Sequence, residues 1–300
     1  MFMTDRLVSV CIASIGRPSL LATIKGVLAC ARPAGLALEI IVADDSRTGA
    51  ALALVCCCEE REHVRVVTSA SRNISVARNA CMAKARGDYL AFIDDDEVPD
   101  TDWLNNLVLL AESSGADAVQ GSVIGIYPRN SPDWADKLKP FDKTYGQAGA
   151  RIDVGSTCNL LLRRSSLLAR SIEFSTGFGE NGGEDTDLCY RLTASGGVIV
   201  SSPTAIVYEH VPLARLARGH LLRRYARGGH TYACVVLARQ NLVRKTAEFA
   251  KALALTMVYS PLAALSSLVL PTTSMRIMLR LSGNVGKLLF FLGLPVWNPY

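Results

Sequence analysis

The sequence predicts an α/β fold with a mainly parallel central sheet, flanking helices and a helical C-terminal tail. Short apolar runs alternate with helical patterns over the first 125 residues, which is typical of βαβ units. These runs are apolar throughout, so both faces of the predicted sheet are buried. Half of the 300 residues are hydrophobic and 20% are charged, which excludes disordered and fibrous proteins.

The predicted elements can be followed along the chain by their hydrophobic periodicity. Strands are expected at residues 8–13, 38–43, 64–68, 89–93, 119–126, 159–162, 198–201 and 205–211. Helices are expected from the break at 16–18 to about 31, and at 74–86, 100–114 and 186–194. Asp100 or Thr101 is the expected N-cap of the helix 100–114. Prolines 128, 132 and 140 and the glycine-rich segment 174–183 predict loops.

Positive charge and apolar character are concentrated in the last third of the chain. Residues 215–300 contain 12 Lys and Arg and one acid, Glu248, for a net charge of +11, whereas the remainder carries −6. Residues 252–270 carry no charge and are flanked on both sides by basic side chains. The pattern predicts a tail over 213–300 that lies on, or dips into, an anionic membrane leaflet. A nucleic-acid partner and a buried core helix are the alternatives.

Nine cysteines occur without a Cys-x-x-Cys pair, so neither a zinc site nor a disulfide framework is expected. Residues 1–20 lack the long apolar core of a signal peptide. Both observations predict a protein that works in the reducing cytoplasm.

Four consecutive acids, Asp94 to Glu97, directly follow the apolar run 89–93. Ligands of open α/β sheets bind beyond the carboxyl ends of the strands, so these side chains are expected in a site. Adjacent carboxylates repel one another unless a cation lies among them, and Mg²⁺ or Mn²⁺ prefers such oxygens and bridges to phosphates. The run predicts a divalent-cation site, with a solvated acidic loop as the alternative.

A second acidic pair, Asp44 and Asp45, follows the run 38–43. The carboxyl ends of parallel strands share one edge, so both acidic motifs are expected on the same rim. An acid there can accept hydrogen bonds from a base or a ribose; a turn or a helix N-cap is the alternative. Arg78, on the helix between the motifs, has the guanidinium geometry to hold a diphosphate, with an exposed salt bridge as the alternative.

Glu184 and Asp185 follow two glycines at the start of a predicted helix. A carboxylate on a glycine-rich loop can act as a general base, although acids in a first helical turn also stabilise the helix dipole. His210 follows a predicted strand and is assigned as a metal ligand or diphosphate contact, against a purely structural role. The sequence contains no nucleophile elbow, Walker A motif or Gly-x-Gly-x-x-Gly motif.

Five motifs, taken in order, resemble the inverting family 2 glycosyltransferases over roughly residues 7–210. They are VSVCIA at 8–13, EIIVADDS at 39–46, ARN at 77–79, GDYLAFIDDD at 87–96 and GEDTDL at 183–188. Within that family, the chain resembles bacterial exopolysaccharide glucosyltransferases of the succinoglycan-pathway type.

The resemblance implies a Rossmann-like GT-A fold over 1–212, with a nucleotide-sugar-binding half (1–125) and an acceptor half (126–212). It implies a nucleotide-diphosphate sugar donor such as UDP-glucose. The expected donor site consists of Ala13, Arg17, Asp44, Asp45, Arg78, Asp94 and Asp95. The two acids after the second strand match those near the donor base, and which of them makes the contact stays open. Asp94 matches the acid near the ribose, Asp96 binds Mn²⁺ or Mg²⁺ with His210 as a further ligand, and Asp185 is the catalytic base.

The Gln-x-x-Arg-Trp motif of processive synthases is absent, and residues 220–225 echo it only loosely, which favours one sugar per encounter. A lipid-linked oligosaccharide acceptor at the cytoplasmic face of the inner (plasma) membrane would explain the tail, with no nucleic acid involved. Two alternatives stay open. A metal-dependent nucleotidyl- or phosphoryl-transfer enzyme would not need Asp185, and a non-enzymatic polyanion- or membrane-binding protein would leave the acidic motifs unexplained.

Overall fold

The computed structural model describes residues 6–179, 182–266 and 270–296. The chain forms two compact units, Met1–Ile124 with Asp142–His210, and Gly125–Phe141 with Val211–Tyr300. The break after His210 lies two residues before the end of the expected domain 1–212. The sequence pattern did not predict that 125–141 joins the second unit, where Trp134 and Phe141 enter an apolar cluster with residues of the later helices.

The first unit is built on a nine-stranded sheet with the spatial order β3-β2-β1-β4-β8-β6-β9-β5, and β7 pairs with β9. The strands are β1 (Arg6–Ser14), β2 (Leu36–Asp44), β3 (Val64–Thr68), β4 (Tyr89–Ile93), β5 (Glu97–Pro99), β6 (Ala118–Ile126), β7 (Arg151–Ile152), β8 (Asn159–Arg163) and β9 (Ile199–His210). The helices of the described residues are α1 (Leu20–Ala29), α2 (Ala50–Cys56), α3 (Ile74–Lys84), α4 (Trp103–Ser114), α5 (Asp133–Leu138), α6 (Arg164–Arg170), α7 (Glu184–Ala194), α8 (Arg218–Val235), α9 (Leu242–Ser266) and α10 (Pro271–Phe291).

The sheet is mixed, and its central strands β1 to β4 are parallel, as the sequence predicted. β1 to β4 pair in parallel, because parallel neighbours need a crossover helix and α1, α2 and α3 supply it between these successive strands. β6 and β9 also run in the same direction, since the N–H of Ala118 donates to Val198 and the N–H of Val211 donates to Ile126. β8 runs antiparallel to both β4 and β6, and β9 runs antiparallel to β5 and β7. The two strands expected at 198–201 and 205–211 are one continuous strand, β9.

Both faces of the central strands β1 and β4 are buried, as predicted, whereas β3 at the edge of the sheet is only partly buried. Val10 and Ile12 enter one apolar cluster, whereas Cys11 enters the cluster on the other face. α4 covers the first face through Trp103. This helix begins three residues later than expected, because Asp100 accepts the backbone N–H of Asp102 in a turn instead of capping the helix.

The second unit contains α5, α8, α9 and α10 around a small apolar cluster that includes Trp134, Phe141 and Met275. α9 continues through Pro261, and only 6% of its most apolar 18-residue window is buried. Within the described part of the chain, α9 alone is long and apolar enough to cross a membrane, by length and composition. The buried-core alternative for this segment is therefore wrong for the described residues; 267–269 lie outside them.

Candidate functional site: the carboxyl rim of the parallel strands

The two predicted acidic motifs lie on one edge of the sheet. β1 and β2 run in register up to their carboxyl ends, where Ala13 pairs with Ala43 and Ser14 pairs with Asp44. β4 lies on the other side of β1 and leads directly into Asp94. The register therefore brings the acids after β2 and β4 to opposite sides of the end of β1, as the sequence predicted.

The turn after β1 carries Arg17 to the acidic rim. Gly16 has a φ of +88°, and a Cβ there would overlap Ala50, so this tight turn requires glycine. Arg17 Nη1 lies 3.1 Å from Asp95 Oδ1 and 2.9 Å from Asp96 Oδ2. One guanidinium therefore bridges two carboxylates of the run.

The four acids after β4 occupy different environments. Asp95 is buried and accepts a hydrogen bond of 2.6 Å from Ser14 Oγ. Burial raises the pKa of Asp95 to about 6 despite this bond and the Arg17 charge. Glu97 points inward, accepts the backbone N–H of Asp94, and has a pKa raised well above its ordinary value by burial. Asp94 and Asp96 keep 42% and 26% of their side chains exposed, so these two carboxylates are open to a ligand.

Asp44 and Asp45 differ sharply. The Asp44 carboxylate is fully buried and accepts hydrogen bonds from the Ser46 backbone N–H and hydroxyl at Oδ1 and from the Leu52 N–H of α2 at Oδ2. This is the turn-and-cap arrangement that the sequence left open. The hydrogen bonds described for Asp45 all reach Oδ1, from the loop after β3, at Ser69, Ser71 and Arg72. Of the two acids, Asp45 is therefore the better placed to contact a ligand, through Oδ2.

Arg78 does not form the exposed salt bridge that the sequence left open as the alternative. It is only 7% exposed, and its guanidinium donates to Glu184 Oε1 at 2.5 Å and to Asp94 Oδ1 at 3.1 Å. The centroid of the Phe174 ring lies 5.7 Å from the guanidinium carbon of Arg78. Both ends of the guanidinium are therefore occupied by carboxylates in a buried ion-pair chain, and the diphosphate contact stays a prediction.

Asp185 lies in the first turn of α7, next to the buried Glu184. Asp185 Oδ1 accepts hydrogen bonds from the Thr186 backbone N–H at 2.7 Å and hydroxyl at 3.3 Å. The half-buried Asp185 and the buried Glu184 thus have different surroundings, although they are neighbours in the chain.

His210 is exposed at the end of β9. Glu97, the first residue of β5, pairs with Glu209 in the antiparallel register. The two predicted metal ligands flank this pair, since Asp96 precedes β5 and His210 is the last residue of β9. Across residues 6–179, 182–266 and 270–296, no group of three or more His, Cys, Asp or Glu side chains is arranged to hold a metal ion.

The sequence reasoning missed two residues of the rim. Ser14 directly follows the first apolar run, 8–13, and was assigned no role, yet its hydroxyl donates to Asp95 and accepts the backbone N–H of Gly16. The only sequence signal was a hydroxyl at a strand end. Asn79 exchanges two hydrogen bonds with the backbone of Phe174, a contact across 95 residues that no local pattern encodes.

Comparison with known proteins shows which family and which relatives this chain resembles. Glycosyl transferase family 2 matches residues 9–169, more than half of the chain. The succinoglycan biosynthesis protein ExoM of Rhizobium meliloti strain 1021 is 37% identical over 241 residues, which cover 79% of this chain and 77% of that protein. The pre-mycofactocin glycosyltransferase of Mycobacterium tuberculosis is 28% identical over 145 residues, 47% of this chain and 31% of that protein.

Solved structures of S. aureus TarS 1–349 share the fold. TarS has a TM-score of 0.55 at 15% identity over 95% of this chain and 91% of that chain. Its complex with UDP-GlcNAc has a TM-score of 0.56 at 13% identity over 96% and 92%. The similarity confirms the predicted GT-A fold. With the family match over more than half of its length and the 37% identical relative, this chain belongs to glycosyl transferase family 2.

Proposed function

We propose that this protein transfers a sugar, with inversion, from a nucleotide-diphosphate sugar such as UDP-glucose to a lipid-linked oligosaccharide in exopolysaccharide synthesis. The observation that carries the proposal is the ion-pair chain Asp94–Arg78–Glu184, which connects the expected donor rim directly to the residue preceding Asp185. The relative in succinoglycan biosynthesis supports the pathway, and the UDP-GlcNAc complex of TarS supports the donor class. One sugar per encounter remains part of the proposal.

Asp185 is the proposed general base. Thr186 engages Oδ1, so Oδ2 is assigned to the acceptor hydroxyl. The O–H bond of the acceptor hydroxyl breaks as its proton passes to the Asp185 carboxylate, and the acceptor oxygen forms a bond to the anomeric carbon of the donor sugar. On the opposite face the bond from that carbon to the phosphate oxygen breaks, and its electron pair leaves with the nucleoside diphosphate. A positioned base of this kind contributes about 10²–10⁴-fold.

The donor is assigned to the rim between β2 and β4. Asp45 Oδ2 is assigned to the base and Asp94 to the ribose, while Ala13 and Arg17 line the end of β1. Asp44 and Asp95 support this surface from below, because both oxygens of each carboxylate accept hydrogen bonds from neighbouring residues.

A divalent cation fits this rim. The guanidinium of Arg17 already accommodates a positive charge between Asp95 and Asp96. Asp96 would hold Mn²⁺ or Mg²⁺, with His210 as a second ligand, and the donor phosphates and water would complete the shell, as is usual for Mg²⁺. Bound there, the ion would neutralise the charge that develops on the leaving diphosphate.

The test is a panel of sugar nucleotides with Mn²⁺, Mg²⁺ or EDTA, followed by NMR of the anomeric configuration of the product. We expect transfer from one donor class, an inverted product, and loss of metal-dependent donor binding in Asp96→Ala. Undiminished turnover in EDTA would contradict the metal assignment. A retained configuration would contradict the inverting reaction.

Membrane association at the cytoplasmic face is the second part of the proposal. α9 exposes apolar side chains along its length, including Leu253, Met257 and Leu265. Exposed arginines, Arg244 on α9 and Arg276 on α10, accompany them, which suits an anionic lipid surface.

Flotation with vesicles containing anionic phosphatidylglycerol tests this association. Full-length protein is expected to float with anionic vesicles and to be released by salt or by Met257→Asp. Leu168→Asp is the matched control, because Leu168 is equally exposed but lies on α6 in the first unit. Wild-type protein that stays in the supernatant at low salt would contradict the proposal.

A further inference from the structure

The motif around Arg78 has a role that donor binding does not explain. Arg78 lies on α3, 16 residues before Asp94 and 106 before Glu184, and it pairs with both carboxylates. All three side chains meet where β4 ends and α7 begins. A single buried guanidinium thus connects the two halves of the proposed reaction centre.

The electrostatics make this chain sensitive to the loss of any member. Burial alone would lower the pKa of Arg78, but the charges of Glu184, Asp94 and Asp185 raise it above its ordinary value. Burial raises the pKa of Glu184, and Arg78 opposes that shift. Glu184 Oε2 is buried and has no hydrogen-bond partner in the described chain. Removing the Arg78 contact would therefore leave a buried charge uncompensated.

The same helix holds the segment that leads into α7. Asn79 bonds the backbone of Phe174 in both directions, at 2.8 and 2.9 Å. One turn earlier, Ser75 Oγ donates to the Ser175 carbonyl at 2.9 Å. α3 therefore fixes the start of the glycine-rich segment 174–183, and Arg78 fixes the first helical turn after that segment.

The start of α7 has no cap of its own. Gly183 occupies the N-cap position with a φ of +108° and has no side chain to cap the helix, and only Asp185, from within the first turn, accepts the Thr186 N–H among the described side-chain bonds there. Asp185 bonds only its immediate neighbour, Thr186, in the described hydrogen bonds. The Arg78–Glu184 bond is thus the long-range polar contact that orients this turn.

We infer that Arg78 and Glu184 are positioning residues that orient the Asp185 carboxylate toward a donor bound at Asp94. The inference rests on the proposed role of Asp185 as the base. Neither residue receives the acceptor proton; they determine where the receiving oxygen lies.

The test compares Glu184→Gln with Arg78→Lys in the full-length protein. Glu184→Gln keeps the size of the side chain and removes its charge, and a lysine at 78 cannot bridge two carboxylates with a planar fork. Asp187→Asn is the matched control: Asp187 is a buried acid of the same helix, but its partner is Arg191 at 2.8 Å.

Two readouts separate positioning from stability. Hydrogen exchange of the amides at 186–188 in ligand-free protein is expected to accelerate roughly tenfold in Glu184→Gln. Single-turnover transfer, with the donor identified by the panel above, is expected to fall roughly 10- to 100-fold per folded molecule in both variants, while the UDP affinity of Glu184→Gln stays unchanged. The double variant is expected to lose no more transfer activity than the worse single variant, because both substitutions break the same contact between Arg78 and Glu184.

Wild-type exchange and transfer in Glu184→Gln would overturn the inference, as would an equal loss of transfer in Asp187→Asn. Asp185→Asn is measured alongside. If that variant transfers normally, the proposed base is wrong, whereas the exchange data still report whether Arg78 holds the start of α7.

Discussion

Asp44→Asn tests whether Asp44 supports the fold or contacts the donor. The substituted amide keeps the shape of the side chain, and its oxygen can still accept from Ser46. Its NH₂ group, however, would face the Leu52 N–H, which now donates to Asp44 Oδ2 at 2.9 Å. An unsatisfied buried N–H costs about 1–3 kcal/mol, and replacing a charged acceptor by a neutral one costs about 1 kcal/mol more. We expect a loss of about 2–4 kcal/mol in the free energy of unfolding.

The assay is urea unfolding at equilibrium, paired with calorimetry of UDP binding to the folded protein. Asp45→Asn is the comparison: its oxygen can keep the bonds from the loop after β3, so stability should change less while UDP affinity falls. Ser46→Ala should cost about 1–3 kcal/mol, since the hydroxyl donates to Asp44 Oδ1 and accepts the Ala50 N–H. If Asp44→Asn unfolds like the wild type but no longer binds UDP, the assignment of the two acids is reversed.

Two further predictions concern parts of the molecule outside the site. Gly229→Ala is expected to destabilise the second unit, because the added Cβ would overlap the backbone of α10. Gly228→Ala, with open space around it, should be neutral or stabilising by up to about 1 kcal/mol. Thermal unfolding of the two variants tests this difference. Burial alone would raise the pKa of Glu39, but hydrogen bonds from Ser9 and Arg86 lower it below its ordinary value of 4.5. The contribution of Glu39 to stability is therefore present above pH 4.5 and lost as the pH falls. We expect Glu39→Gln to be less stable than the wild type at pH 6 and the difference in unfolding free energy between the two proteins to shrink toward pH 3, as measured by urea unfolding.

The parallel half of the fold could be predicted from the sequence because its signals are local. The runs 64–68 and 89–93 match β3 and β4 residue for residue, since polar turns bound each apolar run. β9 was divided in two because Pro203 and its polar neighbours interrupt the pattern, although β9 continues through them. The antiparallel half depends on pairings between distant strands, which periodicity does not encode.

For the site, the sequence predicted which acids share a rim but not what each one does. Asp44 and Asp45 are equivalent in a motif, and only the loop after β3 and the start of α2 separate their roles. The environment of Arg78 depends on Glu184, more than 100 residues away. Such contacts are set by tertiary packing. The presence of an arginine at position 78 alone is therefore equally compatible with a diphosphate contact and with a buried ion pair.

Single-turnover transfer by Asp185→Asn is the most direct test of whether Asp185 is the general base. The substitution keeps the size of the side chain and removes the basic oxygen, so we expect unchanged donor and metal affinity with transfer reduced about 10²–10⁴-fold. If these acids only stabilised the start of α7, the change would cost about 0.5–2 kcal/mol of stability and leave the rate per folded molecule intact. A folded Asp185→Asn protein that transfers sugar at the wild-type rate would contradict the inverting-base mechanism.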